Sequence, residues 1–180
     1  MTKAPPLLPA EILFRMLRLA RRDGTGVLAI AGSLALVSAA LGDYLGALVG
    51  VVIAGAGVFE LHGVALLKAR QPNGINWLVG SQIYLLMAVL AYVIWRLQAY
   101  DAEWVRRYLE PVIRSQEMQE KLQERGATEE DLLRGLRLLY FSAYALVAVL
   151  TLFYQGGMAL YYHRRRAAVA AALIEEVHGE

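Results

Sequence analysis

The chain contains no cysteine. Disulfides, thiolate metal sites and thiol chemistry are excluded, and no redox compartment can be read from it. Charge is also sparse. Asp, Glu, Lys and Arg make up 19% of the 180 residues, against about 25% in an ordinary soluble domain. The formal net charge is only +2, too small to point to a nucleic-acid partner. Histidine occurs three times, at 62, 163 and 178, too few and too scattered to ligate a pair of haems. No HExxH, GxSxG, phosphate-loop or dinucleotide motif is present. Nothing therefore points to an enzyme, a metal or a cofactor. Neither an internal repeat of useful length nor an inverted repeat is apparent.

What is abundant is apolar sequence. Hydrophobic residues make up 58% of the chain, and the mean hydropathy is +0.43. Crossing a bilayer core takes about 20 mostly apolar residues in a helix. Four stretches qualify, near 25–42, 44–67, 76–97 and 137–163. The expected fold is all-α: one integral membrane domain over 1–180, a four-helix bundle carrying an extramembrane helical hairpin between spans three and four. A secretory signal peptide is not expected, because the first apolar run follows polar and amphipathic sequence and is itself followed by another span.

The connecting segments have their own patterns. Residues 1–9, MTKAPPLLP, are proline-rich and expected to be irregular. In 10–22, Ile12, Leu13, Met16, Leu17 and Ala20 recur at helical steps. Arg15, Arg18, Arg21 and Arg22 lie mostly on the other face, so this segment reads as a basic amphipathic helix at the headgroups of an anionic leaflet. Only Gly-Asp-Tyr separates spans one and two, which predicts a tight antiparallel corner. Gln-Pro-Asn-Gly after Arg70 predicts a turn.

The segment 98–135 carries Glu103/Arg107, Glu110/Arg114 and Glu117/Lys121, acid-before-base pairs at the favourable helical spacing. Trp104, Val105, Tyr108, Leu109 and Val112 form a stripe beside them. Pro111 must kink this helix or start a new one. Gly126 suits a C-terminal cap, and Thr128 with Asp131 resembles a capping box. Spans three and four are thus expected to extend as a hairpin with its tip near 126. Residues 164–178 continue span four as a helical tail, with Val169, Leu173 and Val177 on one stripe.

Lys3, the arginines of 10–22, Lys68, Arg70 and Arg164–Arg166 fall on one side of these spans, which predicts both termini in the cytoplasm of a cell with a plasma or inner membrane. Trp77, Tyr161 and Tyr162 would mark the inner interface, and Tyr44, Trp95, Tyr100 and Tyr140 the outer one.

Two features within the spans are candidates for function. Gly42, Gly46, Gly50 and Ala54 are spaced by four, and Gly57 falls in the same stripe. Small residues let helix backbones approach in lipid, either within one chain or between copies. The second feature is Glu60. At 100° per residue it is in line with Gly42 and faces other helices. It lies eight residues before Lys68, roughly 12 Å along the axis. Ser33, Tyr84 and Gln155, with Gln82 and Tyr154 nearby, are expected at the same depth and would complete a polar layer. A protonated carboxyl there could donate to Gln155 or Tyr84. His62 points about 160° away from Glu60 and is a separate candidate.

An ionisable group within a membrane is costly and marks a functional site by default. The leading reading is a subunit of a homo-oligomeric channel or transporter for ions, protons or a small solute, with the Glu60 layer as its site. The alternative is a non-catalytic interaction, scaffold or assembly protein whose hairpin, 99–135, binds a protein partner. In both, the lipid bilayer is the first partner.

Overall fold

The structure is a computed structural model that describes residues 8–178 other than residue 125, and their side chains except at 104 and 175–178. The proline-rich start, Lys3 within it, the stripe positions Trp104 and Val177, and His178 as a side chain lie outside the described residues. All regular structure described is helical: α1 (Pro9–Ala40), α2 (Tyr44–Lys68), α3 (Gly74–Gln98), α4 (Ala102–Ile113), α5 (Gln116–Glu124), α6 (Glu129–Arg164) and α7 (Arg166–His178). Four of these, α1, α2, α3 and α6, are long and apolar enough to cross a membrane. The chain packs as two units. One comprises residues up to Val89 together with Thr151 onward, and the other is Leu90–Leu150.

In the first unit, α1 runs through the point where an interfacial helix was expected to give way to a span. Pro9 opens it, where a missing N–H costs nothing. Glu11 pairs with Arg15 at 2.6 Å. Gly24 does not break the helix, because it is a contact residue: a Cβ there would lie 3.2 Å from both Glu60 Cβ and the Gly57 carbonyl oxygen. The Thr25 hydroxyl donates back to the Arg21 carbonyl at 2.7 Å.

The apolar face of the N-terminal half is therefore not a lipid-facing surface. Leu13, Met16 and Ala20 are buried in one cluster with Leu67, Leu78, Tyr162, Val169 and Leu173. This last pair comes from α7, which packs on α1. The chain can turn back because α6 ends at Arg164. Arg165 stands between the helices, its N–H shared between the Tyr161 and Tyr162 carbonyls. The tail expected to prolong span four is thus a separate helix that closes the core.

The corner between α1 and α2 is set by Gly42, at φ +78°. Its N–H bonds the Ala39 carbonyl and that of Asp43 bonds Ser38, which satisfies the last carbonyls of α1. Asp43 then caps α2 by accepting from the Gly46 N–H at 2.9 Å. Gly42 is therefore the turn of the corner, and the packing stripe begins beyond it. Gly50 and Gly57 are the close-approach positions. A Cβ on Gly50 would meet Ala35 Cβ at 2.8 Å, and one on Gly57 would meet the Gly24 carbonyl oxygen at 2.6 Å. Ala54 is buried between them.

In the second unit, α4 starts afresh instead of prolonging α3. The reason is Asp101, whose carboxylate accepts from the Glu103 N–H at 2.9 Å as an N-cap. Pro111 is accommodated in the last turn of α4, and the chain breaks before α5. Gly126, at φ +60°, ends α5. Thr128 and Asp131 exchange hydrogen bonds in a capping box that opens α6. The Arg96 guanidinium donates to the Tyr144 hydroxyl at 3.1 Å, and the Tyr140 hydroxyl donates to the Arg96 carbonyl at 2.8 Å, tying α3 to α6 within this unit.

The α1–α2 contact yields a test. Gly57→Leu has no space without moving α1 backbone and is expected to destabilise the protein by about 1–3 kcal/mol. Gly80→Leu, with open space around it, is expected to stay within about 0.5 kcal/mol. Unfolding in detergent micelles, followed by circular dichroism, measures both. Equal effects would show that the crossing is not tight.

Candidate functional site: a buried acid pair

Glu60 projects from α2 into the first unit and is only 2% exposed. Its neighbour Gly57 brings α1 against α2, so the residue beside Gly24 is delivered to the same place. That residue is Asp23. The two carboxyl groups lie close enough to interact, and Gln82 of α3 reaches both. The Tyr162 hydroxyl donates to Glu60 Oε1 at 2.8 Å. The Tyr154 hydroxyl donates to Asp23 Oδ1 at 2.9 Å, and Gln82 Nε2 donates to Asp23 Oδ2 at 3.4 Å. Four helices thus converge on two acids.

The two acids differ in access. Glu60 and Tyr162 are sealed, Tyr162 completely. Asp23 is half-buried and borders a cleft of about 580 Å3, with Arg22 and Tyr154 also on its edge and Val27, Ile30 and Ile53 as apolar walls. Gln82 Oε1, and Gln155 Oε1 on α6, are buried and accept no hydrogen bond among the described residues. A buried acceptor without a donor costs about 1–3 kcal/mol, so each is a place where water or a proton-bearing group would be stabilised.

The expected polar layer is thus only partly the observed one. Glu60, Gln82 and Tyr154 belong to it, and Gln155 is buried with an unmatched oxygen. Ser33 does not take part. It is exposed, because the buried stripe of α1 runs through Ala31 and Ala35, and a residue two steps from Ala31 points about 200° away. Tyr84 instead donates to the Val52 carbonyl at 3.1 Å. His62 is exposed and packs its ring edge against Trp77, centroids 4.8 Å apart.

Two members were not expected. Asp23 lies just before the first expected span, 25–42, and Tyr162 is expected as an interfacial aromatic. Tyr162 was legible in principle: it is seven residues after Gln155, hence on the same helical face. Gln155, Met158 and Tyr162 are the buried residues of α6.

Among the described residues, no three His, Asp or Glu side chains are grouped as metal ligands. Comparison with protein-family models, curated proteins and solved structures gives no match for this chain. The residues themselves therefore carry the functional argument.

Tyr162→Phe would leave a buried carboxyl oxygen without its donor. It is expected to cost about 1–3 kcal/mol of stability, and Tyr154→Phe, at 52% exposure, under about 1 kcal/mol because water can replace the lost donor. Detergent unfolding of each variant, and of Tyr162→Phe in a Glu60→Gln background, measures the coupling between the two side chains. Additive effects would show that the bond contributes nothing specific.

Proposed function

We propose that this chain is an integral membrane protein, a transport subunit in which the Asp23–Glu60 pair binds a proton or a small cation. The observation that carries this reading is the pair itself. Two carboxyl groups from different apolar helices meet where one is sealed and the other faces a cleft. Two carboxyl groups at such range place several acceptor oxygens around one point, where a proton or a cation would be held between them. Tyr162 and Gln82 keep the sealed acid in place, while Asp23 exchanges with the cleft.

Several observations support membrane insertion. Apolar side chains on α1, α2 and α6, among them Ile30, Leu34, Val51, Leu146, Leu150 and Phe153, are exposed, as suits helices solvated by lipid. The basic residues at the ends of these helices favour both termini in the cytoplasm, across a plasma or inner membrane. In this reading a second copy of the chain closes the open side of the cleft, as a homo-oligomer. The protein has no catalytic role. A second reading, an assembly protein with a partner on α4 and α5, draws on Tyr108 and Val112, exposed one turn apart on α4.

The test is flux. In liposomes loaded with a pH-sensitive dye, the protein is expected to dissipate an imposed proton gradient, or a sodium or potassium gradient with the matching indicator dye. Glu60→Gln and Asp23→Asn should each slow that flux at least about tenfold, the loss expected when a charge-binding group is neutralised at a cost of roughly 1.4 kcal/mol. The reading fails if flux does not exceed that of empty liposomes. The assembly reading then gains if deletion of residues 104–125 strips a bound protein while α1 to α3 stay folded.

A further inference from the structure

A second cluster remains outside the acid pair. Arg18, Arg21 and Arg22 of α1 and Lys68 of α2 line a recess of about 420 Å3, with Thr25 and Phe14 beside them. The α1 residues recur at three- and four-residue steps and so share a face. Lys68 joins them because α2 runs antiparallel to α1 from the Gly24–Gly57 contact: Phe14 is ten residues before Gly24, and Lys68 is eleven after Gly57. No carboxylate lines this recess. Among the described residues, none of the four cations has an ion-pair partner. The Arg18 guanidinium is held 4.7 Å from the centre of the Phe14 ring, which orients its donors.

Four cations gathered around one concavity repel one another unless an anion sits among them. Guanidinium donors match the oxygens of a phosphate, and an ammonium adds a point charge. The position favours a lipid as the source. Lys68 is the last residue of α2 and follows the apolar run Gly63–Leu67, so the Lys68 end of the recess lies at headgroup level for a chain inserted in a bilayer. Leu17 and Phe14 offer apolar contact for the glycerol and the first acyl carbons. We infer that this recess binds the phosphate headgroup of an anionic phospholipid. The inference depends on membrane insertion and is independent of the acid pair.

The experiment uses the full chain in detergent, with its thermal midpoint followed as dioleoylphosphatidylglycerol, dioleoylphosphatidylcholine or sodium phosphate is titrated in. Only the anionic lipid is expected to raise the midpoint saturably. At about 1 kcal/mol for each basic residue, Arg21→Gln with Lys68→Gln should weaken apparent affinity about 30-fold. Both side chains are exposed, so the variant should fold. Arg164→Gln with Arg166→Gln removes the same charge elsewhere and should leave affinity within about twofold. Equal loss in both double variants, equal protection by phosphatidylcholine, or full protection by inorganic phosphate overturns the inference. Flotation of the protein with phosphatidylcholine vesicles is expected, and its failure would overturn membrane insertion and this site together.

Discussion

The close approach of α1 and α2 at Gly24 and Gly57 is the contact on which the other features depend. Without side chains at the crossing, each backbone touches the other and gains close dispersion contacts. The crossing also fixes register. Glu60, one turn after Gly57, is brought beside Asp23, the neighbour of Gly24. Lys68 is brought to the face of α1 that carries Arg18, Arg21 and Arg22. The acid pair and the basic recess are thus consequences of one helix pairing, met at increasing distance along the axis on the same side of the crossing.

Once register is fixed, Glu60 must be satisfied in place, because a buried carboxyl without partners is strongly unfavourable. Tyr162 does this from α6. Its ring lies in the cluster with Met16, Leu67 and Val169, and its hydroxyl reaches Glu60 Oε1. The same residue therefore joins apolar packing to the polar site. The return of α7 over α1 completes the burial of that ring. Loosening α7 would expose Tyr162 and, through it, Glu60, so the C-terminal helix bears on the site without contributing a polar group to it.

Helix content, the four apolar stretches, the corner at Gly42 and the caps at Gly126 and Thr128 follow from local chemistry, and such features are legible because they depend on neighbours along the chain. The orientation of Glu60 was legible for the same reason, since it follows from angle alone. Depth was not. Counting residues inward from charged ends placed Gln155 and Tyr84 opposite Glu60, but the partner on α6 is Tyr162, about 10 Å further along that helix. Charged ends mark equal levels only if every helix stops at the same plane. Here α1 continues past Arg21, Arg22 and Asp23 without a break, and α6 is followed by a helix that folds back. Asp23, just outside the expected span 25–42, was missed as the second acid for that reason.

The imbalance of hydrogen-bonding groups is what favours the proposed binding site over a structural lock. A polar layer that only joins helices should use every donor and acceptor it buries, because each unmatched group subtracts stability. Around Asp23 and Glu60 the acceptors outnumber the donors. Tyr154, Tyr162 and the Gln82 amide serve two carboxyl groups, and the Gln82 oxygen accepts nothing among the described residues. Rotating the Gln82 amide would strip Asp23 of a partner. The deficit is of donors, the one thing a proton, a hydronium or a water around a cation supplies. In the proposed function Asp23, on the cleft, is the entry point for such a guest, and Glu60 is the acid whose bond to Tyr162 joins α2 to α6.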